Sequence, residues 1–195
     1  MRQTATSYAG ITYERIDKVG LQWPCPTLDH PGTKFLHEGG NFSRGKGLFS
    51  RTEWIPPIEP PDDRYPLVLS TGRRLWHYHT GTQTHNSVGL DKLFPEELIE
   101  MHPSDAERLG IKSGDYVKAT SRRGEITLRA WVTDRSAPGL CWTSFHFSEA
   151  SGNVLTIDAF DPLTETAEYK ACAINVEKVR AGEPLGGEVL RQARP

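Results

Sequence analysis

The sequence predicts a mainly β fold with short helices: a small mixed barrel preceded by an extended Pro/Gly-rich segment. Three observations carry that reading. Short β-rich runs, each bounded by turn residues, recur through residues 66–180. The best-signalled helix ends at Gly110 after two turns, too short to serve as the crossover of a parallel sheet. Residues 1–65 hold seven of the fourteen prolines and seven of the eighteen glycines, a density that blocks long helices and continuous ladders.

In chain order, WPCP, HPGT, EGG, RGKG and IPPIEPPDD mark residues 1–65 as an extended segment that wraps over another surface. Ile55 to Asp63 reads as a polyproline-like hinge into the next unit. Residues 66–180 read as a compact domain. Pro66 to Ser70 is β-rich without alternation, so both faces are expected to be covered. A short helix is expected around Asp91 to Glu100. Ser104 to Glu107 forms a capping box with Pro103 before it, and Gly110 stops that helix. Lys112 to Asp115 is a turn. Tyr116 to Ser121 and Glu125 to Thr133 are strands, because Val117, Ala119, Ile126, Leu128 and Ala130 alternate with polar neighbours; Arg122 to Gly124 closes their hairpin. Pro138-Gly139 turns the chain into a strand over Leu140 to Phe147. Asn153 to Phe160 and Ala171 to Val179 also read as extended, and residues 181–195 as a polar tail.

The bulk numbers exclude several classes. The chain has 195 residues and a mean hydropathy of −0.53, enough for one domain with an appendage. No window approaches the length of apolar run that a membrane span needs. The N-terminus carries no apolar signal core, so a cytoplasmic protein is expected. Net charge is −2, from 23 basic and 25 acidic residues, so no global field recruits nucleic acid. Cys25, Cys141 and Cys172 lie far apart, with no C-x-x-C, and read as idle thiols in a reducing compartment.

TGRRLWHYHTGTQTH, residues 71–85, is the densest cluster of chemistry. On a strand, His77 and His79 would share a face, and with His146 they approximate a cupin-like mononuclear metal site. Gln83 stands where that site would want a carboxylate. Histidines bonded only to backbone are the plain structural alternative. The same stretch also reads as an anion site. Thr71-Gly72-Arg73 follows a buried strand, and Thr80-Gly81-Thr82 repeats the pattern. Glycine-freed amides, hydroxyls and a guanidinium fork suit a pyrophosphate.

The pattern T-G-R-x-L-x-H-Y/W-H-T-G-x-x-T resembles the C-terminal molybdopterin-dinucleotide-binding domain of the prokaryotic molybdenum and tungsten oxidoreductases. N-x-L-T at Asn153 to Thr156, D-P-x-T/S at Asp161 to Thr164 and E-Y-K-x-C-A at Glu168 to Ala173 extend the likeness. GLQWPCP, HPGT and RGKGLF, within residues 20–49, resemble the stretch before that domain in formate dehydrogenase catalytic subunits; nitrate reductases are the nearby alternative. The resemblance spans about residues 7–180.

The resemblance implies a double-psi β-barrel and a bis-(molybdopterin guanine dinucleotide) cofactor carrying Mo or W. It implies cofactor contacts from Thr71, Gly72, Arg73, Leu75, His77, His79, Thr80, Gly81 and Thr82, joined by Asn153 and Lys170. Arg73 and the threonine hydroxyls would meet the pyrophosphate, and His77 and His79 the pterin or phosphate oxygens. Phe145 matches a position facing the substrate channel. The family's iron–sulfur cysteine motif, its catalytic Cys or selenocysteine and the following His are not found in this sequence. The chain therefore looks like the last quarter of a formate dehydrogenase, with no catalytic residue of its own, an iron–sulfur cluster only in the missing part, and the remaining domains or subunits as its partners.

Overall fold

The computed structural model describes residues 4–42 and 44–186. The chain divides between Trp54 and Ile55 into two compact units, rather than at residue 65. The first unit is mostly irregular, as its prolines and glycines dictate. The one α-helix among its described residues, α1 (Tyr13–Ile16), is capped by the Thr12 side chain, which accepts from the Arg15 amide. The Arg15 guanidinium ties the loops together by donating to the carbonyls of Gly10 (2.6 Å) and His30 (2.6 Å). Cys25 is the only buried hydrophobic residue described in this unit.

The second unit is a closed barrel of β1 (Leu67–Gly72), β2 (Leu98–Met101), β3 (Tyr116–Thr120), β4 (Glu125–Val132), β5 (Leu140–Ser144) and β6 (Cys172–Arg180). Around the barrel the order is β1-β5-β2-β4-β3-β6. Two pairs, β1 with β5 and β2 with β4, are parallel; the other neighbours are antiparallel. This is the mainly β, mixed barrel that the strand pattern predicts, of the double-psi type that the resemblance implies. Leu69, Ile99, Met101, Val117, Leu128, Ile174 and Val176 fill its interior. Burying each of them contributes about 1.5–3 kcal/mol.

Several expected elements are shifted. The helix expected over Asp91 to Glu100 is a shorter α2 (Val88–Leu93), and Leu98–Met101 is the strand β2. Pro95 stops the helix, and Glu97 and Glu100 disguise the strand because their carboxyls point inward to an arginine. Helix α3 (Pro103–Leu109) ends at Gly110 with φ +65°, as expected, but its N-cap is His102 rather than Ser104. The His102 ring accepts from the Ser104 amide (3.2 Å), and Pro103 occupies the first helical position. Asn153 to Phe160 is not a strand: Gly152–Val154 is a 3-10 turn and irregular chain follows. Ile55 to Asp63 is part of the barrel unit, and residues 187–195 of the expected tail lie outside the described residues. No described helix is long and apolar enough to cross a membrane.

Candidate functional site

Strands β1 and β5 run parallel, with Gly72 opposite Ser144. Both chains therefore leave the barrel at the same end, and Arg73–Arg74 emerges beside Phe145–His146. Gly72 is required here, because a Cβ would stand 2.5 Å from the Trp142 ring. The Thr71 hydroxyl donates to the Tyr169 carbonyl (2.8 Å), and the Lys170 ammonium donates to the Thr71 carbonyl. These bonds fasten the segment before β6 against the end of β1.

The result is a cleft of about 530 Å³ lined by Thr71, Gly72, Arg73, His79, Phe145, Asn153, Tyr169 and Lys170. Among the described residues, its charged side chains are Arg73 and Lys170, and no carboxylate lines it. Phe145 and the His79 ring meet edge to face at 5.6 Å, and Tyr169 adds a third flat surface. The Asn153 amide, on the 3-10 turn, makes no side-chain hydrogen bond among the described residues. A ligand with anionic oxygens and a flat heterocycle fits this donor set. The cationic fork and ammonium face the anion, the rings cover a planar face, and Asn153 can donate to and accept from a heterocycle edge. Thr71 offers its hydroxyl oxygen only as an acceptor, since its proton goes to Tyr169.

The other residues singled out in the sequence lie elsewhere. Leu75 is exposed and lines no part of the cleft. Thr80 and Thr82 share a hydrogen bond (3.0 Å) beside a second hollow of about 540 Å³ with His85, Asp91 and Glu149. Gly81 has φ +80°, and a Cβ there would lie 2.3 Å from the His85 ring. His77 and His79 do not share a strand face, because β1 ends at Gly72. His77 is buried, with Nε2 donating to the Phe94 carbonyl (2.9 Å) and Nδ1 facing the Thr84 hydroxyl (3.1 Å). Its ring nitrogens serve the interior rather than a ligand.

The cupin-like arrangement fails on geometry. His146 Nε2 accepts from the Arg74 amide (2.8 Å) and Nδ1 donates to the His79 carbonyl, so it has no nitrogen left for a metal. Burial lowers the pKa of His146, in keeping with a neutral ring. A different trio, His77, His85 and Asp91, brings its ligand atoms within 4.8 Å of one another. Its nitrogens are also occupied: His85 Nδ1 lies 2.7 Å from Asp91, and Nε2 lies 3.0 Å from the His146 carbonyl. Both partners only accept, so both His85 nitrogens carry protons. Burial opposes that charge, but the Asp91 carboxylate and the carbonyl outweigh it and raise the pKa.

Three features escaped sequence reading. Tyr169 lines the cleft, His85 pairs with Asp91, and Arg74 is buried while its neighbour Arg73 faces the cleft. Nothing distinguishes Arg73 from Arg74 as residue types. The direction in which β1 releases the chain decides between them.

Residues 67–173 match the family described as Molydopterin dinucleotide binding domain, and the chain belongs to that molybdopterin dinucleotide-binding family. It is 43% identical over 173 residues to the F420-dependent formate dehydrogenase 1 subunit alpha of Methanococcus maripaludis, covering 88% of this chain and 26% of that protein. It is 38% identical over 192 residues to a periplasmic nitrate reductase of Desulfovibrio desulfuricans, covering 90% of this chain and 25% of that protein. Among solved structures, acetylene hydratase from Pelobacter acetylenicus superposes with a TM-score of 0.60 at 15% identity, over 88% of this chain and 28% of that one, a likeness of fold alone. The chain spans about a quarter of the length of the curated relatives it matches.

Proposed function

We propose that this chain binds a bis-(molybdopterin guanine dinucleotide) cofactor, with Mo or W, as the cofactor-binding domain of a formate dehydrogenase that interconverts formate and carbon dioxide. The observation that carries the reading is the cleft at the end of β1 and β5, where the described residues supply two cations, no carboxylate and three flat side chains. Arg73 and Lys170 hold the anionic oxygens of one dinucleotide, and Asn153 addresses a heterocycle edge. Gly72 leaves the backbone open beside them, and His79 with Phe145 covers a ring face. When bound, the cofactor supplies the metal that takes up the two electrons of formate oxidation. The residues of this chain bind and orient it and add no acid, base or nucleophile. Iron–sulfur centres and the metal's protein ligand belong to the remaining domains or subunits, its partners, in the cytoplasm. Formate is favoured over nitrate by RGKGLF, which resembles the stretch before this domain in formate dehydrogenase catalytic subunits.

The test is elemental analysis with guanine-nucleotide release on the chain purified together with what its host co-expresses. Mo or W with guanine nucleotide is the expected result. Stoichiometric Fe, Ni or Mn on the chain, lost when His77 and His79 are replaced by alanine, would overturn the reading.

A further inference from the structure

His146 does not line the cleft, yet it stands directly behind the segment that supplies two of the cleft's side chains. Its ring is fully buried. Nε2 accepts from the Arg74 amide (2.8 Å), where the chain has just left β1, and Nδ1 donates to the His79 carbonyl at the far end of the same loop. One ring thus closes the loop that carries Arg73 at one end and His79 at the other. His79 has φ +52°, a left-handed conformation uncommon for a residue with a Cβ, and its carbonyl reaches the imidazole from that conformation. His146 is gripped in turn. His85, held by Asp91 at 2.7 Å, donates to the His146 carbonyl at 3.0 Å. Gly81 admits the His85 ring, since a Cβ there would lie 2.6 Å from that same carbonyl.

We propose that His146 is the positioning residue of the cleft: by joining the Arg74 amide to the His79 carbonyl, it sets where the Arg73 guanidinium and the His79 ring meet the cofactor. The inference rests on the cofactor reading above and deepens it. The chemistry requires an acceptor and a donor at two separate corners of one rigid side chain. Neutral imidazole meets that requirement, whereas a second ring proton would oppose the Arg74 amide. Arg74, His77, His79 and His85 are the ionisable groups packed around the ring, with Glu149 across the hollow. Burial disfavours that second proton, as does the Arg74 guanidinium beside the ring.

Replacing His146 by Leu, Asn and Gln in the full chain tests this. Leu fills the volume without either bond, Asn keeps a donor near the Nδ1 place, and Gln reaches the Nε2 place with an acceptor. Two readouts need no cofactor. Ring nitrogen shifts are expected to show the Nδ1–H tautomer in the wild type. Hydrogen exchange at the Arg74 amide is expected to quicken about tenfold in His146→Leu, the equivalent of one hydrogen bond, while amides of β3 and β4 keep their protection. In the assembly purified from its host, guanine nucleotide retained per chain is expected to fall about tenfold in His146→Leu and to be largely restored in His146→Asn. Wild-type retention and Arg74 protection in a folded His146→Leu would overturn the proposal. Should that variant not fold, wild-type Arg74 protection in His146→Asn together with wild-type nucleotide retention in His146→Gln would do the same. A wild-type assembly that releases no guanine nucleotide would instead overturn the cofactor reading, leaving the tautomer and exchange results to judge the positioning role.

Discussion

Two adjacent arginines divide the labour at this end of the barrel. Arg73 is exposed in the cleft, so Arg73→Ala is expected to leave stability within about 0.5 kcal/mol while reducing the guanine nucleotide retained by the assembly, which nucleotide release measures directly. Arg74 is buried. It donates to Glu100 (2.8 Å) and the Leu98 carbonyl (3.0 Å), and its guanidinium lies 4.5 Å from the Trp142 ring. Glu97 also faces it, at 3.7 Å. Arg135 adds a second, longer contact to Glu100 (3.9 Å), and burial raises the pKa of Glu97 against the opposing pull of Arg74. Glu97 Oε1 accepts from the Ser144 and Leu98 amides, and Oε2 accepts from the Ser144 hydroxyl. Glutamine keeps the acceptor at Oε1, and its amide donates to the Ser144 hydroxyl in place of the bond that Oε2 accepts. Glu97→Gln is thus expected to stay within about 1 kcal/mol of wild type, whereas Arg74→Met leaves Glu100 to the longer Arg135 contact and costs about 3 kcal/mol, both read from denaturant unfolding at neutral pH. Because the folded pKa of Glu97 is raised, its contribution is complete below the ordinary carboxylate pKa and fades as pH climbs through the folded value. Glu97→Gln should remove that fading.

Among the elements, the proline-rich run Ile55 to Asp63 departs furthest from its sequence appearance. Composition alone suggests a hinge, but Glu59 anchors the run to the barrel. Its carboxylate receives both arms of the Arg123 guanidinium (2.5 and 2.9 Å) and the Ala173 amide (2.8 Å). The Arg123 fork holds Glu59 at about 2, against the opposing effect of burial and with help from Ala173. A depressed acid stabilises the fold above its ordinary pKa and loses that contribution as pH falls through the folded value. The anchor, worth of order 2–3 kcal/mol, is therefore expected to weaken between about pH 4.5 and 2. Glu59→Gln should lower stability at neutral pH and flatten that acid limb, as urea titrations at successive pH values would reveal. No local pattern signals such an anchor, because its partners lie more than sixty residues away. Strands β3 and β4 were legible for the opposite reason: one buried face imposes strict alternation, and a short turn fixes their register. Strand β2 was hidden by the two glutamates that serve Arg74.

At the scale of the whole molecule, the barrel was legible from the rhythm of short strands and turns, and the chemistry of the cleft from a cluster of threonine, glycine and arginine. Which members of that cluster face outward was not legible. His77 and His79 look equivalent in sequence, yet one packs inside and the other lines the cleft, because β1 stops at Gly72 and a loop replaces the regular alternation of a strand. The division of the chain at Trp54 was equally hidden, since prolines run on past it. The three thiols offer a direct reading of that division. Cys25 sits in the first unit, and Cys141 and Cys172 in the barrel, all buried. Burial pushes the Cys141 thiol up to about 12 and Cys172 to about 11, so neither offers appreciable thiolate at neutral pH. Alkylation then waits on opening of the surrounding structure. The barrel encloses a large apolar cluster, whereas Cys25 is the only buried hydrophobic residue described in the first unit. Less apolar burial means a smaller free energy of local opening. Under mild denaturant, Cys25 is expected to be alkylated first, while Cys141 and Cys172 react together only at the global transition, with peptide mass spectrometry assigning each site. Simultaneous labelling of all three would mean that the first unit opens only when the barrel does, and that its stability is borrowed from the larger unit rather than its own.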